Sequence, residues 1–247
     1  LNVSMVLGNL GIPNTAFGFA AGFVGEEIVR RIEEMGVKAE FIWIGDGVSR
    51  INLKLKSIDG TEINGCGPVI HEGDVQKLIA KLELLQAGDV LVLAGSIPGS
   101  VPDDIYRRIM SEMSGRGIEV VVDATKELLV NVLEYHPFLI KPNHHELGGI
   151  FGVELKTRED VIPYARRMQQ MGARNVLVSM AAAGAVLVAE DKSVYETDAP
   201  KGILVNGVGA GDSMVAGFLA GWMEKKEYRH AFAMGVSAGS ASAFSER

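Results

Sequence analysis

Cysteine is nearly missing from this chain: Cys66 stands alone among 247 residues, so no internal disulfide can form and a small cross-linked secreted fold is excluded. A lone thiol suits a reducing compartment, and the cytoplasm is the expected location. No apolar run reaches membrane-spanning length, and the opening Leu1-Asn2-Val3-Ser4 has neither the basic flank nor the cleavage site of a signal peptide. A membrane role is therefore not expected. An initiator methionine is absent as well; Asn2 to Leu7 reads as the first turns of a helix, and residues preceding Leu1 are expected. Basic stripes are lacking: the net charge is −7 with both signs scattered, which leaves no surface suited to a nucleic-acid backbone. The five histidines, His71, His136, His144, His145 and His230, have no zinc-site spacing with Cys66 or the acidic residues. Internal repeats, low-complexity tracts and long linkers are not found.

What is present is apolar residue in quantity, 47% of the chain, enough for one large α/β domain or two small ones. Short apolar runs such as Val90–Ala94, Val120–Val122, Phe138–Ile140 and Val176–Val178 alternate with amphipathic stretches such as Asp103–Met113 and Arg158–Met171. This alternation predicts βαβ units with helices on both faces of a mostly parallel sheet. The unbroken apolar runs agree, because a parallel sheet is buried on both sides.

Residues 39–64 depart from that rhythm, with several strand-like runs and no helix. In Arg50–Lys56 a period of two places Ile51, Leu53 and Leu55 on one face and Arg50, Asn52, Lys54 and Lys56 on the other. The expected organisation is an α/β core of residues 1–38 and 65–247 with residues 39–64 as a projecting β-sheet lid. Its alternating apolar face needs cover, and pairing of two copies through the lid is expected.

The chemistry concentrates in Asn206-Gly207-Val208-Gly209-Ala210-Gly211-Asp212-Ser213, which leads into the small and apolar run Met214–Met223. Glycines admit positive φ and close approach of a ligand, and the free amides of a first helical turn point outward with the positive dipole end. Such a turn holds an anion, so a carboxylate within it needs a task of its own. If the anion is a phosphoryl group in transfer, the amides of Gly209, Ala210 and Gly211 stabilise its charge and Asp212 takes the proton of the attacking hydroxyl. Asp212 as a plain helix cap fits the local pattern equally well.

The extended string Val208 to Phe218 resembles the C-terminal signature of ribokinase-like sugar kinases, the phosphofructokinase B family. Lys141-Pro142-Asn143-His144-His145-Glu146-Leu147, Ala94-Gly95-Ser96-Ile97-Pro98 and Gly18 through Gly25 are similar to further family blocks in the same order. Within the family, Lys141–Leu155, Thr61–Gly65 and Ser240–Ser245 are most similar to bacterial kinases of fructose 1-phosphate, with tagatose-6-phosphate kinases as near neighbours. The resemblance implies a three-layer ribokinase-like sandwich with a small β lid, and transfer of the γ-phosphoryl of MgATP to a ketohexose monophosphate.

The resemblance also implies roles. Asp212 becomes the base on the sugar hydroxyl, with Gly209, Ala210 and Gly211 as the anion hole. Asn2, Arg50, Asn52 and Ser96 are implied in substrate binding, Arg50 as a guanidinium fork for the substrate phosphate. Asn143 and Glu146 match an Asn-x-x-Glu pair implied to position a water-bound Mg²⁺, although the same pair reads as a capping box. For ATP, the implied contacts are Lys141, Ser179, Gly184, Asn206, Val236, Gly239 and Ser240. Ala181 and Gly207 depart from the family pattern, Gly being usual at the first and Ser or Thr at the second. Two rivals carry other expectations: a catalytically silent sugar-phosphate or nucleotide sensor on the same fold, and a dinucleotide oxidoreductase. The latter is disfavoured because Gly18-x-x-x-Gly22-x-x-Gly25 lacks the tight Gly-x-Gly spacing.

Overall fold

The structure, a computed structural model, describes residues 1–55, 61–95, 97–124 and 126–245. Its contacts divide into two compact units: residues 1, 3–84 and 97–102 form the first, and Asn2 with residues 85–95 and 103–245 the second. This division differs from the expected core and lid.

The first unit runs α1 (Asn2–Asn9), β1 (Thr15–Ala21), α2 (Gly22–Glu34), β2 (Lys38–Ile44), β3 (Asn52–Leu55), β4 (Thr61–Asn64) and α3 (Glu72–Leu82). β1 and β2 pair in parallel from Thr15↔Lys38 to Ala21↔Ile44, joined through α2. Within residues 39–64, the first strand thus pairs in parallel with β1 and not antiparallel with the strands that follow it. β2 buries Ile42 and Ile44 on one face and leaves Trp43 50% exposed on the other, in a βαβ arrangement with β1 and α2. The antiparallel piece is β3 with β4 alone, in register Asn52↔Asn64 and Leu53↔Ile63. On it Ile51, Leu53 and Ile63 are 60%, 51% and 56% exposed, so the apolar residues expected to need cover lie open. Lys56 lies outside the described residues.

The second unit runs β5 (Val90–Ala94), α4 (Ile105–Met113), β6 (Glu119–Asp123), α5 (Lys126–Val130), β7 (Leu139–Ile140), α6 (His144–Phe151), α7 (Arg158–Gln170), β8 (Asn175–Ser179), β9 (Ala185–Val188), β10 (Val194–Thr197), α8 (Ala210–Lys225) and α9 (Tyr228–Ala243). Its sheet has the order β10-β9-β8-β7-β6-β5. β5 to β8 are parallel, as their apolar runs predict, and Val121, Val122, Leu139, Ile140 and Val176–Val178 are fully buried. β9 and β10 continue the sheet antiparallel. Only Met180, a one-turn 3₁₀ helix, Ala181–Ala183, and Gly184 separate β8 from β9, too little chain for a parallel crossover.

At the start of β8, Asn175 is wholly buried and satisfied: its amide donates to the Phe138 carbonyl at 2.7 Å, and its oxygen accepts from the Glu190 N–H at 2.8 Å. α8 and α9 approach closely because glycine lies where they touch. A Cβ on Gly217 would stand 2.5 Å from the Met234 carbonyl oxygen, and one on Gly235 would stand 2.9 Å from that of Met214.

Candidate active site

The Gly-rich turn forms the start of α8, as its sequence predicts. Gly209 is the N-cap in the left-handed region, φ 79° and ψ 0°, a conformation that favours glycine. Ser213 closes the first turn, its N–H and hydroxyl both donating to the Gly209 carbonyl at 2.9 Å. Upstream, the Asn206 side chain accepts from the Val208 N–H at 3.0 Å, and the N–H groups of Val205 and Asn206 both donate to the Ala243 carbonyl. Asn206 thus shapes the loop that delivers the turn. The Ala210 N–H leans toward the Gly207 carbonyl at 3.3 Å, whereas among the described residues no acceptor takes the N–H of Gly209 or Gly211.

Asp212 lies in this first turn, and its side chain does not cap the helix. It instead accepts a hydrogen bond from the Asn2 side-chain amide at 2.8 Å. A carboxylate held by one neutral donor keeps its second oxygen for a further partner, as a general base requires.

Lys141, at the carboxyl end of β7, is 6% exposed and pairs with Asp123 at the carboxyl end of β6, Nζ to Oδ1 3.2 Å. Its ammonium lies against the turn: a Cβ on Gly211 would stand 3.0 Å from Lys141 Nζ. Burial pushes the Asp123 carboxyl up from its ordinary value, Lys141 pulls it back, and the negative charges of Asp212 and Glu146 add to the rise. Tyr106 donates its hydroxyl to the Gly95 carbonyl at 3.1 Å, and burial, with the Asp123 charge beside it, raises its phenol to about 12. Asp123 and Tyr106 escaped the sequence reading. The available signal was position, since Asp123 closes the apolar run Val120–Val122 where open parallel sheets place their ligands.

Asn143 and Glu146 make a reciprocal capping box at the start of α6: the Asn143 oxygen accepts from the Glu146 N–H at 2.8 Å, and the Glu146 carboxylate accepts from the Asn143 N–H at 2.8 Å. The Asn143 amide oxygen and one of the two Glu146 carboxylate oxygens are thereby committed to the helix. Among the described residues, no group of three or more His, Cys, Asp or Glu side chains could hold a metal ion. The donor set fits a hydrated Mg²⁺ carried by phosphate and touched through water, and does not fit a protein cage.

Asn143 also bridges Ser179 in parallel, and the Ser179 N–H donates to the Pro142 carbonyl at 3.2 Å, which ties the ends of β7 and β8 together. Beyond Ser179, Ala181 adopts φ 49°, the left-handed region where the family resemblance leads one to expect glycine. Gly184 has a packing reason: a Cβ there would stand 1.9 Å from the Thr197 carbonyl oxygen. Gly239 backs the Gly-rich turn, where a Cβ would stand 3.0 Å from the Ala210 carbonyl oxygen. Val236 is buried in α9 and Ser240 is half-buried on it. Arg50 and Asn52 belong to the first unit, and Ser96 lies outside the described residues.

A profile described as pfkB family carbohydrate kinase matches residues 1–246. A 1-phosphofructokinase of Bacillus subtilis (strain 168) is 45% identical over 246 residues, covering 100% of this chain and 80% of the relative. A D-tagatose-1-phosphate kinase of Bacillus licheniformis is 34% identical over 251 residues, covering 100% of this chain and 81% of the relative. Among solved structures, phosphofructokinase-2 from Escherichia coli in complex with fructose-6-phosphate is 27% identical with a TM-score of 0.87, over 98% of this chain and 80% of that one.

Proposed function

We infer, from the premise that this chain belongs to the pfkB family of carbohydrate kinases, that it phosphorylates fructose 1-phosphate with ATP to give fructose 1,6-bisphosphate. The observation that carries the reading is Asp212: it stands in the first turn of α8 beside the unengaged N–H groups of Gly209 and Gly211, uncapped and held by Asn2. Asp212 takes the proton of the C6 hydroxyl as that oxygen attacks the γ-phosphorus. The N–H groups of the turn and the helix dipole stabilise the charge spread over the phosphoryl oxygens. A weak base suffices because the proton leaves late in a loose transition state.

ATP supplies the phosphoryl group, and Mg²⁺ bound to its phosphates neutralises charge there. The free oxygen of Glu146, with Asn143 holding its other, would reach that ion through water. Lys141, Ser179, Gly184, Asn206, Val236, Gly239 and Ser240 are the proposed nucleotide surroundings, the structure giving Gly184, Asn206 and Gly239 packing or loop-shaping roles as well. Arg50, Asn52, Asn2 and Ser96 are the proposed sugar-phosphate residues.

The near alternative is tagatose. Two relatives are named D-tagatose-1-phosphate kinase, which sets tagatose 1-phosphate beside tagatose 6-phosphate as a rival substrate. A coupled ADP-release assay across the 1- and 6-phosphates of fructose and tagatose tests class and substrate together. Turnover is expected to be fastest on fructose 1-phosphate, and no ADP release on any of the four would leave the silent-sensor reading.

Two copies are proposed to pair through β3 and β4, where Leu53 and Ile63 are paired and open and Ile51 lies exposed just before β3. A monomeric sedimentation profile at micromolar concentration would count against it. The cytoplasm remains the proposed location; among the described residues no helix is long and apolar enough to cross a membrane.

A further inference from the structure

We propose that Asp123 is a positioning residue for phosphoryl transfer: its carboxylate fixes the Lys141 ammonium against Gly211, adding a fixed positive charge to the anion hole. The inference rests on the kinase reading of the Gly-rich turn. Lys141 is almost wholly buried, and burying a lone ammonium costs several kcal/mol unless a partner compensates. Among the described residues Asp123 is the carboxylate within ion-pair distance of it, at 3.2 Å. Two further carboxylates, Asp212 and Glu146, are close enough to act on Asp123 through their charge. Three acids thus lie close together, and the lysine pairs with Asp123.

The choice of partner has a mechanistic consequence. A lysine drawn onto Asp212 would tie up the proposed base in an ion pair and lower its readiness to take a proton. Held by Asp123, the same ammonium instead lies beside the Cα of Gly211, where only the missing side chain of glycine leaves it room. Asp123 and Lys141 end adjacent parallel strands, β6 and β7, so the rigid sheet sets their separation. The pair therefore holds the cation beside Gly211 and leaves Asp212 to Asn2.

The test is a double-mutant cycle of Asp123→Asn and Lys141→Met, read in kcat, in KM for fructose 1-phosphate, and in MgATP affinity by titration calorimetry. Asp123→Asn is nearly isosteric and removes only the charge. It is expected to lower kcat at least about tenfold and to leave the sugar KM within about threefold, because the group acts through Lys141. MgATP affinity should fall by a similar factor in either single variant, and the double variant should be no worse than Lys141→Met alone in either readout. Asp123→Glu, which keeps the charge, should recover most of the loss.

Multiplying effects in the cycle would overturn the inference, as would an Asp123→Asn kcat within twofold of the parent. Restoration of Asp123→Asn by raised magnesium would also overturn it, placing Asp123 on the metal instead. Circular dichroism checks that each variant is folded; should Asp123→Asn not fold, Asp123→Glu against Lys141→Arg carries the same comparison. If the parent phosphorylates none of the four ketohexose phosphates, the proposed function fails, while the MgATP binding cycle still decides the pairing.

Discussion

The Asn2 side chain and Asp212, 210 positions apart in the sequence, are joined by a hydrogen bond of 2.8 Å. The donor is neutral, so it orients the carboxylate without neutralising it, and the second Asp212 oxygen stays available to a substrate hydroxyl. A hydrogen bond to a charged group is worth roughly 1.5–3 kcal/mol, and about 1.4 kcal/mol corresponds to a factor of ten in rate. Asn2→Ala is therefore expected to lower kcat about tenfold or more, while Asp212→Ala, which deletes the base, lowers it by about two to four orders of magnitude and leaves MgATP binding intact. Steady-state rates with titration calorimetry check both. Equal losses in the two variants would mean that Asn2 does more than orient Asp212.

The loop between β8 and β9 contains two residues of opposite fit. Gly184 sits at φ 89° and ψ −133°, and a Cβ there would collide with the Thr197 carbonyl oxygen at 1.9 Å. Gly184→Ala should destabilise the fold by about 3 kcal/mol or more, since backbone must move to admit the methyl. Ala181 is the reverse case, an L-residue at φ 49°. A left-handed alanine costs about 1–2 kcal/mol and the added freedom of an unfolded glycine about 0.5–1 kcal/mol, so Ala181→Gly should stabilise by about 0.5 kcal/mol. Urea denaturation midpoints read both, and a loss of about 1 kcal/mol in Ala181→Gly would contradict the assigned strain.

What was legible in the sequence follows from how local its causes are. Apolar runs announced β5 to β8 because burial on both faces leaves a continuous pattern, and the glycines and Asp212 announced the start of α8. The antiparallel turn to β9 and the parallel partner of β2 were not legible as such, because pairing is a property of two strands. Asn143 and Glu146 were readable both as a cap and as a site, and the structure shows the capping box in place. Asp123 passed unnoticed because an Asp after three valines is ordinary until Lys141 is brought beside it.

Glycine in α8 offers a sharper contrast than composition suggests. A Cβ on Gly217 would meet the Met234 carbonyl oxygen at 2.5 Å and the Ala238 Cβ at 2.6 Å, so the spacing of α8 and α9 depends on its absence. Gly149, exposed on α6, has nothing within 4 Å of such an atom. Gly217→Ala should cost about 1–3 kcal/mol by overpacking, whereas Gly149→Ala should gain about 0.4–1 kcal/mol through the unfolded chain. Thermal unfolding of the two variants beside the parent makes the comparison. Equal shifts of the same sign would show that helix propensity, and not the packing of α9, decides the effect.

Acid sensitivity offers a test in the first unit. Glu40 on β2 accepts from Lys81 of α3 at 2.5 Å and pairs with Lys38 at 2.9 Å, and these two ammonium groups lower its carboxyl from the ordinary 4.5 to about 2. A carboxylate whose pKa is depressed on folding contributes stability that is present above its unfolded value and lost as pH falls through the folded one. The contribution should therefore be intact at pH 7, decline below about pH 4.5, be mostly lost near pH 2 and be gone below it. Because the pair is open to water, the effect is modest and shrinks with added salt. Glu40→Gln removes the titrating group with little change of shape, so the difference in unfolding midpoint between parent and variant isolates it from every other carboxylate. That difference should be positive at neutral pH and close to zero at pH 2; a gap that persists unchanged in acid would mean Glu40 stabilises β2 by packing rather than by charge.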